Sequence, residues 1–481
     1  MTISSALSNA MTGLRAAGRT SEVISANIAN AMTPGYGVRD LNVSSALLGG
    51  VAVDGISRRV DAGLVADMRL AGAAFSNATD RTRFLTDLEN TLGTPDQPDS
   101  LLGRMSDFEN SLIAATSRPD APERLQIVAD AARDMVTLIS QASDDIQRAR
   151  SDADQQIKSQ VNRLTASLEN VRELNIQITR TMTSGGDPSA LLDNRQALVD
   201  EISEIVPLRQ VPRENGHVAL YSTGGAILLD GTVAEIEFGA VNQVTPYMSI
   251  GGGQLSGLTI NGYPVRTDSD RGALSGGSLG AQFEIRDELA TQAQSQLDAF
   301  ARDLIERFQD PAVDPTLLPG DAGLFTDEGL AFDPLNEVGI SSRLELNAAV
   351  DERQGGEPWR IRDGINAVAP GDVGDARLIQ NLSNALTTTR TPLSGDFGVG
   401  AFSAANLIST MTSQIGADRY QADKALTFAS SQYDELRQQI LADGVDTDEE
   451  LQRLLIVEQA YAANVKMIEA ADEMMKTILR I

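Results

Sequence analysis

Both ends of this chain read as amphipathic helices with a heptad repeat, and such a helix cannot bury its apolar stripe unless another element covers it. From the start, Ile3, Leu7, Ala10, Leu14, Ala17, Ser21, Ile24, Ile28 and Ala31 recur at alternating steps of four and three. The small members Ala10, Ala17 and Ser21 leave room for a partner helix to approach closely. This first helix is expected to run for about 30 residues, roughly 45 Å. It should end near Met32, because Pro34 disfavours helix at Thr33 and Gly35 tolerates the turn that follows. At the other end, Leu451, Leu454, Tyr461, Val465, Ile468, Met475 and Leu479 form a second stripe, interrupted by Glu458 and Asp472. Asp446 with Glu449 three residues later marks its start as a capping box, and no Pro or Gly follows as far as Ile481. The pattern allows two outcomes. The helices dock on the protein's own core, or they pack on each other and on neighbouring subunits. The second outcome makes Ile3, Leu7, Leu14, Ile24 and Ile28, with Leu451, Leu454, Tyr461, Val465, Ile468, Met475 and Leu479, the expected assembly interface.

A longer seam occupies the middle. After Pro122, apolar residues from Leu125 through Ile139, Ile157 and Leu168 to Met182 hold one face for about 60 residues, roughly 90 Å if unbroken. Ser184-Gly185-Gly186-Asp187-Pro188 ends it, with Asp187 as N-cap and Pro188 in the first turn of a helix carrying Leu191, Leu192, Leu198, Ile202 and Ile205. Between about 206 and 280 the period becomes two, as in His217–Tyr221 and Ala226–Leu229, with Gly-rich punctuation. Helical spacing returns at Ile285, Leu289, Leu297, Phe300, Leu304 and Phe308, and again at Ala422, Leu426, Ala429, Tyr433, Leu436 and Ile440.

The expected fold is therefore mainly α with a smaller β-rich part: a multidomain, elongated protein with paired terminal helices forming a coiled coil, a long helical bundle and a β-rich outer domain. The boundaries are 1–45 plus 445–481 for the terminal coil, 46–205 plus 281–310 plus 371–444 for a helical rod, 206–280 for the β-rich unit, and 311–370 for a small insertion containing Pro311, Pro315 and Pro319. A length of 481 residues also exceeds what one ordinary core organises.

Composition narrows the function. With 67 acidic against 39 basic residues, a net charge of −28 repels nucleic-acid phosphates and anionic lipid surfaces. No apolar run reaches the roughly 18 residues of a membrane span, and the N-terminal segment lacks the basic and continuous apolar regions of a signal peptide. Neither nucleic-acid binding nor membrane insertion is expected. Zero cysteines remove disulfides, thiolate metal sites and cysteine nucleophiles together.

Catalytic motifs fare poorly. His217 is the single histidine, so a His-based triad must use it, and its alternating context reads as a strand residue. Gly251-Gly252-Gly253 and the glycines from Gly272 to Gly280 lack both the Lys-Ser/Thr sequel of a P-loop and the GxGxxG spacing, which makes them turns. The acidic run from Asp443 to Glu450 lacks the EF-hand order and is better explained by helix capping. Asp144-Asp145 lies on a polar helix face, where paired carboxylates are solvated. No catalytic, cofactor-binding or metal-binding residue is assigned.

One segment is more specific. Asn27-Ile28-Ala29-Asn30-Ala31-Met32-Thr33-Pro34-Gly35-Tyr36 resembles the N-terminal signature shared by flagellar rod, hook and hook-associated proteins. Gly444-Val445-Asp446-Thr447-Asp448-Glu449-Glu450 and Gln459-Ala460-Tyr461-Ala462-Ala463-Asn464 resemble the C-terminal signature of the same families, in the same order. The run from Leu191 to Ile202, the strand at Gly216-His217-Val218, and Gly277-Ser278-Leu279-Gly280 leading to Glu284-Ile285-Arg286-Asp287 resemble the hook-associated protein 1 family in particular. The likeness weakens over 310–370.

The resemblance implies a structural junction subunit of the bacterial flagellum, secreted through the flagellar type III channel without a cleaved signal peptide. It implies hook protein and hook-associated protein 3 as neighbours, self-association in a ring, and an export chaperone at the C-terminal helix; no cofactor is implied. Two alternatives remain at this point: another axial protein, such as hook protein or hook-associated protein 3, and a glycan-acting enzyme carried on the flagellar axis.

Overall fold

The structure is a computed structural model that describes residues 3–47, 49–268 and 272–479. Residues 1, 2, 480 and 481 of the expected terminal unit, 48 of the rod and 269–271 of the β-rich unit lie outside the described residues. The chain is mainly α-helical with small antiparallel sheets. It begins with α1 (Ile3–Ala29), a hairpin of β1 (Val38–Ser45) and β2 (Val51–Arg59), then α2 (Ala62–Leu92), α3 (Leu101–Ser117), α4 (Pro122–Thr183) and α5 (Ser189–Ile205). The strands β3 (Leu208–Pro212), β4 (Val218–Ser222), β5 (Ile227–Asp230) and β6 (Thr232–Val233) form one sheet in that order, and β7 (Ile236–Glu237), β8 (Leu258–Ile260) and β9 (Tyr263–Val265) form a second. Next come α6 (Gly277–Glu284), a π-helical turn at Ile285–Leu289 and α7 (Ala290–Phe308). Short pieces follow: β10 (Phe325–Asp327), α8 (Ile340–Arg343), β11 (Leu344–Leu346), α9 (Arg360–Asp363) and α10 (Arg377–Thr387). Two long helices, α11 (Ala404–Ala442) and α12 (Thr447–Ile478), complete the chain.

The spine is α4. Its 62 residues give a rod of roughly 93 Å, begun by Pro122, whose missing N–H costs nothing at a helix start. Nearly every member of its expected seam is buried, from Leu125 to Ile178; Met182, at the end, is exposed. The first half of the seam enters a core shared with α3, α7, α10 and the start of α11. Phe108, Phe308 and Phe325 meet there with ring centroids 5.1–6.2 Å apart. Residues 311–370 supply Leu317, Phe325, Ile340, Leu344, Val350 and Ile361 to this same core. The second half of α4, from Ile157 to Val171, packs with α5, α6 and the two small sheets.

At the junction of the two cores lie fully buried charges. Arg286 pairs with Asp154 at 2.6 Å, and neither side chain is exposed. Arg150 donates to the carbonyls of Arg286, Thr245 and Met248 at 2.8–3.1 Å, tying the strand-rich segment to the spine. The π-helical turn, closed by the Ala290 N–H donating to the Ile285 carbonyl, adds one residue to the helix where Arg286 turns inward.

Several local details differ from the sequence reading. The first helix ends at Ala29 rather than near Met32; the Asn30 amide donates to the Ala26 carbonyl, and the Thr33 N–H to the Asn30 carbonyl, closing the end early. Asp187 is not the N-cap of α5: that position is Pro188, which makes no side-chain cap hydrogen bond, and Asp187 stands one residue before it, accepting from the Ser189 N–H and hydroxyl at 2.9 and 2.6 Å. His217 sits just before β4, where its carbonyl accepts from the Arg213 N–H.

Candidate assembly interface

The two chain ends form one antiparallel helical pair. Asn27 of α1 meets Glu450 near the start of α12, and Gly13 faces Asn464, whose side chain lies 2.9 Å from where a Cβ on Gly13 would stand. On α12, Glu450 and Ala471 are buried, and Leu454, Val457, Asn464 and Ile468 are half-buried. Glu450, Val457, Asn464 and Ala471 lie seven residues apart, with Leu454, Tyr461, Ile468 and Met475 four residues after each, which makes this the seam against α1. The hairpin β1–β2 lies along another side of α1: the Thr12 hydroxyl accepts from the Val51 N–H at 3.2 Å, and the turn at Gly49-Gly50, both at positive φ, rests on Asn9 and Thr12.

A buried polar latch closes the inner end of this pair. Asn27 is 0% exposed and makes four hydrogen bonds. Its Oδ1 accepts from the Tyr36 hydroxyl at 2.8 Å and the Arg39 N–H at 3.0 Å; its Nδ2 donates to the Arg39 carbonyl at 2.9 Å and to Glu450 at 3.2 Å. One side chain thus joins α1, the loop after it, β1 and α12. Burial pushes the Glu450 carboxyl up from its ordinary range, partly offset by the Asn27 bond and Arg453. Arg453 also reaches Asp40 and Glu449 at 3.1 and 2.8 Å. The start of α12 is fixed by Asp446, which accepts from the Asp448 and Glu449 N–H groups. Glu449 pairs with Arg453 instead of closing the second half of the capping box.

Asp193 of α5 forms a second clamp between the terminal pair and the spine. It accepts from the Gly37 N–H at 3.0 Å, and from Arg39 and Arg58 at 2.7 Å each. Arg58 continues to Gln196 at 2.6 Å and to the Gly35 carbonyl at 3.0 Å. Gly37 allows this approach, because a Cβ there would stand 2.6 Å from the Arg58 side chain. These clamp residues were not singled out by stripe counting, although Asp193 and Gln196 fall inside the Leu191–Ile202 motif.

The expected interface residues divide by location. Ile24 is buried in the pair; Ile3, Leu7, Leu14 and Ile28 are half-buried along α1, as are Leu454, Val465 and Ile468 on α12. Leu451, Tyr461, Met475 and Leu479 are exposed. A second α12 stripe was not read from the sequence: Ile456, Ala460, Ala463, Met467, Ala470, Met474 and Ile478 recur every three or four residues, and all are exposed. The large members are 50–65% exposed. An exposed apolar stripe of this kind is a surface on which another chain can dock.

Sequence comparisons agree on the class, an axial component of the flagellum. Residues 85–321 match the family described as flagellar hook-associated protein FlgK helical domain. Residues 432–481 match the flagellar basal body rod FlgEFG protein C-terminal family, and 7–36 the flagella basal body rod protein family. Flagellar hook-associated protein 1 of Escherichia coli is 22% identical across all of both chains. The Salmonella typhimurium protein of the same name is 29% identical over 48% of this chain and 44% of its own, and that of Bacillus subtilis 21% over 83% and 79%. The solved flagellar hook junction protein FlgK from Burkholderia pseudomallei aligns over 54% of this chain and 46% of its own, at 18% identity and a TM-score of 0.45. Along its whole length the chain is similar to the flagellar hook-associated protein 1 family.

Proposed function

We propose that this protein is a structural subunit of the bacterial flagellum that forms the junction between hook and filament, and that it catalyses no reaction. The family match supports the assignment, and the exposed second stripe of α12 is the structural observation that carries it. The matched helical domain over 85–321 favours hook-associated protein 1 over another axial protein. In this reading the terminal pair is the assembly element, α4 with its two cores holds it at a fixed distance from the outer segments, and 206–280 and 311–370 face away from the contact. Copies associate in a ring between hook protein and hook-associated protein 3. The chain reaches that place by type III export without a cleaved signal peptide, its C-terminal helix held beforehand by an export chaperone that covers the α12 stripe.

Deleting the gene tests this directly. The expected cell has complete hooks, no attached filaments and flagellin in the medium, and a plasmid copy restores filaments. Normal filaments in the deletion strain would refute the junction role. Release of soluble fragments from peptidoglycan by the purified protein, lost on mutating its carboxylates, would refute the non-catalytic one.

A further inference from the structure

The joint between the two chain ends is short of positive charge. Glu450 is 3% exposed, yet its carboxylate is poorly satisfied: Oε1 accepts from Asn27 at 3.2 Å and lies 3.4 Å from Arg453, and Oε2 has no hydrogen-bond partner. An ionised carboxylate offers about four acceptor sites, so part of this one is left bare and out of water. The elements around it bring little to hold a charge. From α1 comes the neutral Asn27 amide, from the loop the Tyr36 hydroxyl, which donates to Asn27, and from β1 a further carboxylate, Asp40. On α12 itself Glu449 stands beside it. Among the described residues, Arg453 is the cation paired with Glu450, and it is shared with Asp40 at 3.1 Å and Glu449 at 2.8 Å. Arg39, also on β1, is committed to Asp193. Three carboxylates thus divide one guanidinium.

We infer that Glu450 is a proton-operated catch between α1 and α12, which holds the chain ends firmly when its carboxyl is neutral and eases when it ionises. A neutral carboxyl keeps an oxygen for the Asn27 amide and gives up the charge that this setting leaves uncompensated. The rest of the latch is the same in either state, because Asn27 keeps the Tyr36 hydroxyl and both backbone groups of Arg39. Burial pushes the Glu450 carboxyl up; the Asn27 bond and Arg453 oppose that rise, and Asp40 and Glu449 add to it. The folded chain therefore binds this proton more tightly than the unfolded one. It follows that the catch is firmest below the ordinary glutamate range and loosens as pH rises through the raised value. At neutral pH the ends are joined but ready to part, and acid locks them. The catch rests on the terminal pair alone, so it stands or falls separately from the junction role.

Glu450→Gln tests this, since it keeps the size and the acceptor for Asn27 but never ionises. Amide exchange of the purified full-length monomer reads the catch, with wild type and variant compared at each pH from 7 down to 5 so that the intrinsic exchange rate cancels. At pH 7, peptides covering 20–45 and 447–460 are expected to exchange at least about threefold more slowly in the variant. That ratio should shrink towards one as the pH falls, because the wild-type carboxyl then takes up its proton. Glu458→Gln removes an exposed charge from the same helix and should leave these peptides as in wild type. Slowing by Glu450→Gln that is equal at every pH would make Glu450 an ordinary packing residue and overturn the catch. Equal slowing from Glu458→Gln would overturn it too, by assigning the effect to overall charge, and so would an unchanged or faster exchange of Glu450→Gln at pH 7.

Discussion

Replacing Asp193 with Ala removes the carboxylate on which the loop after α1, the hairpin and α5 converge. Arg39, Arg58 and Asp193 are 17, 14 and 15% exposed, so the two guanidinium groups would be left mostly out of water without their shared counter-charge. Breaking a fully buried pair costs about 3–5 kcal/mol. Here residual solvent lowers that figure, Arg39 keeps its place 4.9 Å from the Tyr36 ring centre, and Arg58 keeps Gln196 and the Gly35 carbonyl. Against that stands the loss of the Gly37 N–H acceptor. A net local cost of roughly 3 kcal/mol corresponds to about a 10²-fold rise in the opening equilibrium. Amide exchange of the purified monomer reads this directly, because the clamp governs a local opening rather than global unfolding. Peptides covering 27–60 are expected to exchange on the order of 10²-fold faster, with the first half of α4 unchanged, and Asp193→Asn to fall between. A uniform acceleration that includes 125–150, or a change under about threefold in 27–60, would refute the idea of a separable clamp.

The remaining expectations concern other parts of the molecule. Asp154→Ala leaves Arg286 buried at the junction of the cores with the flanking Asp287 as its remaining carboxylate and the Ser256 carbonyl as an acceptor, and thermal melting should report about 3–5 kcal/mol of lost stability; an unchanged melt would mean that these two suffice. Burial alone pushes the Glu109 carboxyl up, so its native form favours the proton, and the stability it contributes is present below the ordinary glutamate range and lost as pH rises through the raised value. Glu109→Gln should therefore raise the melting temperature at pH 7 and leave it unaltered near pH 4, and the opposite pattern would contradict the sign. In the wild-type monomer, amides of 3–29 and 447–478 should exchange faster than those of 125–178; slow exchange at both ends in a verified monomer would count against assembly-dependent packing. Val465→Asp, supplied as purified protein to isolated hooks so that export is bypassed, should fail to add while its melting temperature stays within a few degrees of wild type, and efficient addition would remove this residue from the assembly surface.

What could be read in the sequence follows from how local each signal is. The α4 seam was legible because every turn repeats the same apolar choice for 62 residues and the helix buries that one face along nearly its whole length. The stripe of α12 was legible only in part. Its seam positions Glu450, Asn464 and Ala471 are polar or small and escape hydrophobic counting, whereas Glu458 and Asp472, which look like interruptions, are exposed and off the seam. The hairpin β1–β2 gave no alternating pattern because it is half-exposed on both faces and held by backbone contact with Asn9 and Thr12. Residues 311–370 carry prolines and little periodicity, yet Phe325, Ile340 and Val350 reach a core whose other members are far away in the chain. The clamp was hardest to see for the same reason: Asp193 lies 154 positions from Arg39, and neither segment alone shows what it meets.

Energetically the protein separates folding from assembly. The fold rests on α4, whose seam is closed within the chain, so its stability does not wait for a partner. The terminal pair is arranged otherwise: α12 buries only Glu450 and Ala471 among its described residues and leaves Ile456, Met467, Met474 and Ile478 at 50–65% exposure. Covering the open part of four such side chains would release roughly 3–7 kcal/mol per subunit at about 1.5–3 kcal/mol for each fully buried one. That sum is too small to hold a dimer by itself once the entropy of association is charged against it. In a ring every copy gives one face and receives another, so each subunit is held on both sides. The Asn27 and Asp193 clamps matter at this step, because a pair that swung freely on its spine would lose in ordering entropy much of what the stripe contributes.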